Sequence, residues 1–375
     1  MKKMFFYAAA AIVAFASCSQ NEGVDTPTIN TSNEPAISFQ MGSSFEVTTR
    51  GTGAVGGSTE ETNVWNSQKL NVYMFEQGKM DLAYNQTTQT YYFENAEVIA
   101  PDSVTSGVAT YGTTQYYPST GNFDFFAYHA DGANIVAPAL NATEDAYIVE
   151  VEIDGTQDLM VSKAWLNKAD STTYESQAKF DYERVYSAYS ARREVQPRFT
   201  FNHLLSRFVF QAEAMEEGAA GVNGIKITKV EVKAPVKGNM TVAALDEAAL
   251  GVTFGTTAAD SADLVLTNRG AAMTMDSLIY GKKVVLGESM LLPAGGTEYV
   301  ASISYEQVKV DTVTNVETTI KDVFTAPITL KNNAAFVAGT QYNVNIKVYD
   351  FKSIVLTANL TAWKEGEDVN LDSEE

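Results

Sequence analysis

Apolar residues in this chain recur at every second position, in short runs cut by Gly, Pro, Asn, Asp and Ser. That period belongs to a β-strand with one face on a core and the other in solvent. "AISFQMGSSFEVT" sets Ile37, Phe39, Met41, Phe45 and Val47 on one side and Ser38, Gln40, Ser44, Glu46 and Thr48 on the other. Similar β-like runs follow at Leu70–Phe75, Thr90–Val98, Phe123–Ala130 and Ala146–Ile153. After Pro197 come Arg198–Ala214, Gly224–Pro235, Glu298–Val310, Thr318–Leu330 and Gln341–Phe351. The last run, Ser353–Trp363, puts Ile354, Leu356, Ala358, Leu360 and Ala362 on one face, ahead of an acidic tail. Many short strands with turn residues between them specify an all-β sandwich rather than an α/β sheet. Tyr174–Arg193 lacks Gly and Pro and is the best helix or long-insert candidate. It carries Lys179, Arg184, Arg192 and Arg193, a set that a solvated face or a connector explains.

The chain begins "MKKMFFYAAAAIVAFASCSQNE". Lys2 and Lys3, an apolar core over Met4–Ala16 and small residues before Cys18 make residues 1–17 a secretory signal, too short to span a membrane. Cys18 is the only cysteine in 375 residues, so no disulfide staples the fold. Its setting favours a bacterial lipoprotein signal in which Cys18 becomes the acylated first residue. Polar residues with two prolines then give a flexible tether over 18–35. The formal charge of −20 becomes two units more negative when Lys2 and Lys3 leave. Such a surface repels nucleic acid and anionic lipid heads. Hydrophobic residues at 45% and aromatics at 11% exclude general disorder. The length after the signal suits two domains, divided here as 51–197 and 198–375.

Catalytic patterns are missing. His129 and His203 lie in the aromatic strands "FFAYHAD" and "FTFNHLLSRF", where a hydrogen-bonded core or rim histidine is the expected role. No zinc-ligand spacing, phosphate loop, nucleophile elbow or EF-hand loop is present. No catalytic residue, metal site or cofactor is assigned, and an enzyme is not expected. The aromatic stretch "TQYYPSTGNFDFFAY" admits sugar stacking, although core packing explains it better.

Arg50 ends the first alternating strand, and the glycine-rich "GTGAVGGSTEET" follows it. Its nearest basic neighbours are Lys3 and Lys69. A trypsin-like cut between Arg50 and Gly51 would release Cys18 together with the strand of residues 36–50. The apolar groove and unpaired backbone left behind are a liability in solution and a seat for an incoming strand. Ser353–Trp363 is a candidate donor. Burying about four medium apolar side chains supplies roughly 6–12 kcal/mol before ordering costs, and a head-to-tail joint of this kind builds a filament.

The sequence resembles the fimbrillin family of Bacteroides-type, type V pilus proteins. The features that carry the resemblance run most of the length: the signal ending at Cys18, "ISFQ…TTRGT", "VWNSQKLNVYMF", "YYPSTGNFDFFAYHADG", "DLMVSK", "PRFTFNHLLSRFVFQ", "MLLPAGGTEY", "FVAGTQYNVNIKV" and "IVLTANLTAW". The resemblance implies two transthyretin-like Greek-key β-sandwich domains in tandem. It also implies an outer-membrane lipoprotein precursor, removal of the lipidated segment by an arginine-specific surface protease, and polymerisation by strand exchange into adhesive fimbriae. Arg50 and Gly51 match the cleavage position. The implied partners are other copies of the chain or related pilins, the protease, the outer membrane through Cys18 before processing, and a host or bacterial surface ligand. The alternative is a lipid-anchored, non-polymerising surface protein, either a pilus anchor or a glycan- or ligand-binding lipoprotein.

Overall fold

The structure is a computed structural model that describes residues 34–41, 65–104, 106–130, 133–164, 186–192, 194–221, 224–268, 271–272 and 278–361. Its elements are nearly all strands, as the alternation requires. The single α-helix among the described residues is one turn, Ala188–Ala191, capped by the Ser187 hydroxyl, which accepts from the Ser190 N–H. Most of the Tyr174–Arg193 run lies outside the described residues.

A five-stranded sheet is the middle layer of the first half. Its order is Asn202–His203, Met160–Lys163, Phe123–His129, Lys69–Glu76, Ala96–Ile99. The strands Lys69–Glu76 and Phe123–His129 are buried on both faces, which is why they read as nearly unbroken apolar runs. Val72, Met74, Phe125 and Ala127 join one core, while Tyr73, Phe75, Phe126 and Tyr128 join another. The run Thr90–Val98 is divided into Thr90–Tyr91 and Ala96–Ile99, with Asn95 at φ 51° between them. Asparagine tolerates that left-handed backbone better than most residues do.

One face of the middle sheet is covered by three short strands, Arg198–Phe199, Gln40–Met41 and Gly107–Val108. The other faces a sheet built from both halves of the chain. Ala146–Glu152 pairs antiparallel with Lys237–Ala244, which pairs with Gly251–Phe254. Val149 and Val151 thus share a core with Met240 and Val242.

Two four-stranded sheets, beside three two-stranded ones, make up most of the rest. One runs Val284–Pro293, Leu205–Ala214, Gln341–Asp350, Ser353–Thr361, and the other Ser261–Val265, Ile225–Pro235, Glu298–Val310, Glu317–Thr329. Phe208, Phe210, Ile303, Val344 and Ile346 are fully buried in the same extended core. Hydrogen bonds cross from half to half at Arg198–His203, which follows Pro197 yet pairs with first-half strands. A buried histidine–carboxylate contact lies nearby: His203 Nδ1 is 2.5 Å from Asp158 Oδ2, and both side chains are almost fully enclosed.

Candidate functional site: the seated N-terminal strand and the C-terminal edge

Gln40–Met41 is the central strand of its three-stranded sheet. It runs parallel to Arg198–Phe199 and antiparallel to Gly107–Val108. The chain leading into it is held at nearly every residue. The Tyr117 N–H donates to the Pro35 carbonyl at 3.1 Å, and the Ile37 N–H donates to Gln115 O at 2.9 Å. The Ala109 N–H donates to Phe39 O at 3.0 Å, and the Gln40 N–H donates to Pro197 O at 2.8 Å. Gln196 reads the backbone twice: its Oε1 accepts from Ser38 N–H at 3.1 Å, and its Nε2 donates to Ala36 O at 3.0 Å. The Tyr111 hydroxyl donates to the Ile37 carbonyl. At the entrance, Arg192 Nη2 lies 2.6 Å from Glu34 Oε2.

The side chains obey the period read from the sequence. Ile37 is 2% exposed, Phe39 0% and Met41 2%, while Ser38 and Gln40 on the opposite face are partly exposed. Phe39 occupies an aromatic cage. Its ring centroid lies 5.0 Å from Phe93, 5.7 Å from Tyr111, 5.7 Å from Phe125 and 5.6 Å from Phe199. Phe93 and Phe125 meet it edge to face, the geometry aromatic quadrupoles favour. Burial pushes the Tyr111 phenol up, so it stays a neutral donor to Ile37. Phe45, Val47, Arg50, Gly51 and Cys18 lie outside the described residues.

At the other end of the chain, Ser353–Thr361 pairs antiparallel with Gln341–Asp350 from Asp350↔Ser353 to Gln341↔Thr361. It is the last strand of its sheet. Ile354 is buried, Leu356 and Ala358 are half-buried against the core, and Val355 and Thr357 are exposed. Leu360 sits opposite Tyr342 in the ladder, and Ala362 lies outside the described residues. The turn before the strand is tied down by Lys352 Nζ to Asp322 Oδ2 at 2.9 Å and by the Tyr305 hydroxyl, which donates to Phe351 O at 3.0 Å.

The two strands have separate seats in this structure. The cage residues Phe93, Tyr111 and Phe199, the Gln196 clamp and the Glu34–Arg192 pair escaped the sequence reading. They are brought together by pairings distant in the chain, and no local period announces them. The aromatic stretch over residues 114–128 is mostly core: Tyr117, Phe123, Phe125, Phe126 and Tyr128 are buried, which leaves Tyr116 as its one exposed ring. His129 is also buried, with Nδ1 2.7 Å from Lys69 O. Among the described residues no group of three or more His, Cys, Asp or Glu side chains is placed to hold a metal ion.

A family model described as fimbrillin-like matches residues 49–363, and the chain belongs to that family. It is a fimbrial, structural family and not one of enzymes, which makes this a pilus-associated protein of the cell surface. Among solved structures, a protein of Bacteroides uniformis assigned to cell adhesion is 16% identical, with 90% of this chain and 100% of that one covered at a TM-score of 0.48. The fimbrial anchor protein Mfa2 of Porphyromonas gingivalis is 10% identical, with 88% and 98% covered and a TM-score of 0.36. A fimbrial assembly protein of Parabacteroides distasonis is 11% identical, with 88% and 98% covered and a TM-score of 0.33. Comparison with curated proteins gives no match.

Proposed function

We propose that the chain is a fimbrial subunit whose N-terminal strand is a removable plug, exchanged on assembly for a strand of another subunit. The protein is made with its lipid on Cys18 and held at the outer membrane. An arginine-specific protease cuts between Arg50 and Gly51 and frees residues 18–50. The vacated seat exposes the cage around Phe39 and two unpaired strand edges, Arg198–Phe199 and Gly107–Val108. The donor is the alternating face Ile354, Leu356, Ala358, Leu360 and Ala362 of another copy or of a related pilin. In this reading the units are residues 51–197 and 198–375, the second lending Arg198–Phe199 to the seat in the first.

One observation carries the reading. Ile37, Phe39 and Met41 fill a core pocket from a segment that precedes Arg50, so a single cut separates a core strand from the body it completes. Strands that leave such grooves are replaced by others, because backbone pairing and a row of side-chain pockets are both waiting. The test is Arg50→Ala in the producing cell. Fimbriae should be lost and lipidated precursor should accumulate; fimbriae of normal length from that variant would refute the proposal.

A further inference from the structure

Among the described residues every phenylalanine is buried or half-buried, and the aromatic side chains left at the surface are tyrosines. Two of these face each other. Tyr84 is 42% and Tyr91 44% exposed. They stand directly opposite in the small hairpin of Tyr84–Asn85 and Thr90–Tyr91, with ring centroids 5.3 Å apart at 73°. The two rings thus form a corner open to solvent. Cross-strand aromatic pairing alone would steady a hairpin, but this hairpin is also fixed by its own turn. Asn85 Oδ1 accepts from the Thr87 and Thr88 N–H groups at 2.9 and 3.2 Å, and the Thr88 and Thr90 hydroxyls are 2.8 Å apart.

A third tyrosine stands near the foot of this hairpin, against Phe75. Tyr147 is partly exposed, and its ring is supported from beneath by Tyr73 at 5.2 Å and Phe75 at 5.3 Å. Phe75 is bridged to Leu82 at the foot of the hairpin, and Asp81 and Glu94 flank that hairpin, each three residues along the chain from one of its tyrosines. Glu94 and Asp81 are exposed carboxylates. The patch combines aromatic faces, phenol hydroxyls and carboxylate acceptors on a rigid base.

We propose that Tyr84, Tyr91 and Tyr147, with Glu94 and Asp81 at the rim, form a binding platform for neutral carbohydrate. The negative faces of the rings attract the weakly positive C–H faces of a sugar, while carboxylates and phenols bond its hydroxyls. Tyrosine provides this contact at small entropic cost, since only two torsions are fixed. The formal charge of −20, with two carboxylates at the patch, disfavours sialylated, sulfated or phosphorylated sugars. The platform does not depend on strand exchange.

The test uses the full chain on an array of glucose-, galactose-, mannose- and N-acetylglucosamine-terminated glycans beside sialylated and sulfated ones, with titration of the best ligand. Neutral glycans alone should bind. Tyr91→Ala should weaken binding about tenfold or more, equivalent to about 1.4 kcal/mol, while Tyr91→Phe retains most of it. Glu94→Gln, which leaves the hairpin intact, should also weaken binding. The proposal fails if no neutral glycan binds, if acidic glycans bind equally well, or if both Tyr84→Ala/Tyr91→Ala and Glu94→Gln bind like the parent.

Discussion

Ile37, Phe39 and Met41 near one end of the chain and Ile354, Leu356 and Ala358 near the other alternate in the same way, yet their surroundings are opposite. The first set lies mid-sheet between two partner strands, and each of its side chains is at most 2% exposed. The second lies on a sheet edge with one partner strand, and only Ile354 is buried. A mid-sheet strand that departs leaves two open ladders and an empty cage, whereas an edge strand gives up one ladder and partly wetted contacts. The sequence period sets which residues face inward; the neighbours decide how completely a strand is enclosed.

A second contrast sits within the C-terminal sheets. Glu317–Thr329 is also an edge strand, but it carries Pro327 opposite Val300, and its charged Lys321 and Asp322 pair with Glu306 and Lys352. Proline and charge are the usual means of protecting an edge from pairing with another chain. Ser353–Thr361 has neither a proline nor a charged residue. Of these two edges, one carries proline and charge and the other carries neither.

The largest effect should come from the cage. Phe39→Ala removes a fully buried ring and should cost the intact precursor about 3–5 kcal/mol in denaturant unfolding. In protein cut after Arg50 and freed of its strand, the same substitution is no longer part of the molecule, so its stability should match that of the cut parent. At the opposite end, Leu356→Ala should cost the monomer only about 1–2 kcal/mol, below the usual range for buried leucine because the side chain is half-exposed. Near-equal losses at the two sites would break the comparison.

How far these differences were legible beforehand follows from their range along the chain. The inward faces of Ala36–Met41 and Ser353–Ala358 could be read because a period of two is local. The ring cage could not be: Phe93, Tyr111, Phe125 and Phe199 meet at Phe39 through its pairings with Gly107–Val108 and Arg198–Phe199 and through packing on the middle sheet. The same holds for Lys237–Ala244, which is not among the runs singled out in the sequence and which joins Ala146–Glu152 from the other half. Exposure of aromatics was hidden for another reason. Tyr84 and Tyr91 stand among strand-forming residues much as the buried Tyr117 and Tyr128 do, and composition cannot separate a surface corner from a core.

Smaller changes sharpen the contrast. Thr357→Lys, on the exposed face of Ser353–Thr361, should leave monomer stability within about 0.5 kcal/mol but reduce filament yield, since lysine on an edge discourages strand pairing. Unchanged filament length in that variant would count against this strand as the donor. Arg192→Ala should have the smallest effect, about 0–1 kcal/mol, and less at high salt, because its pair with Glu34 is partly open to solvent.

The most direct measurement is the N-terminal residue of the protein recovered in fimbriae from the cell surface. A start at Gly51, with residues 18–50 absent, is the predicted result and makes the seated strand a plug that assembly removes. A start at acylated Cys18 in assembled fimbriae would contradict the account, because the strand bearing Ile37, Phe39 and Met41 would then still be attached to the subunit it is proposed to leave.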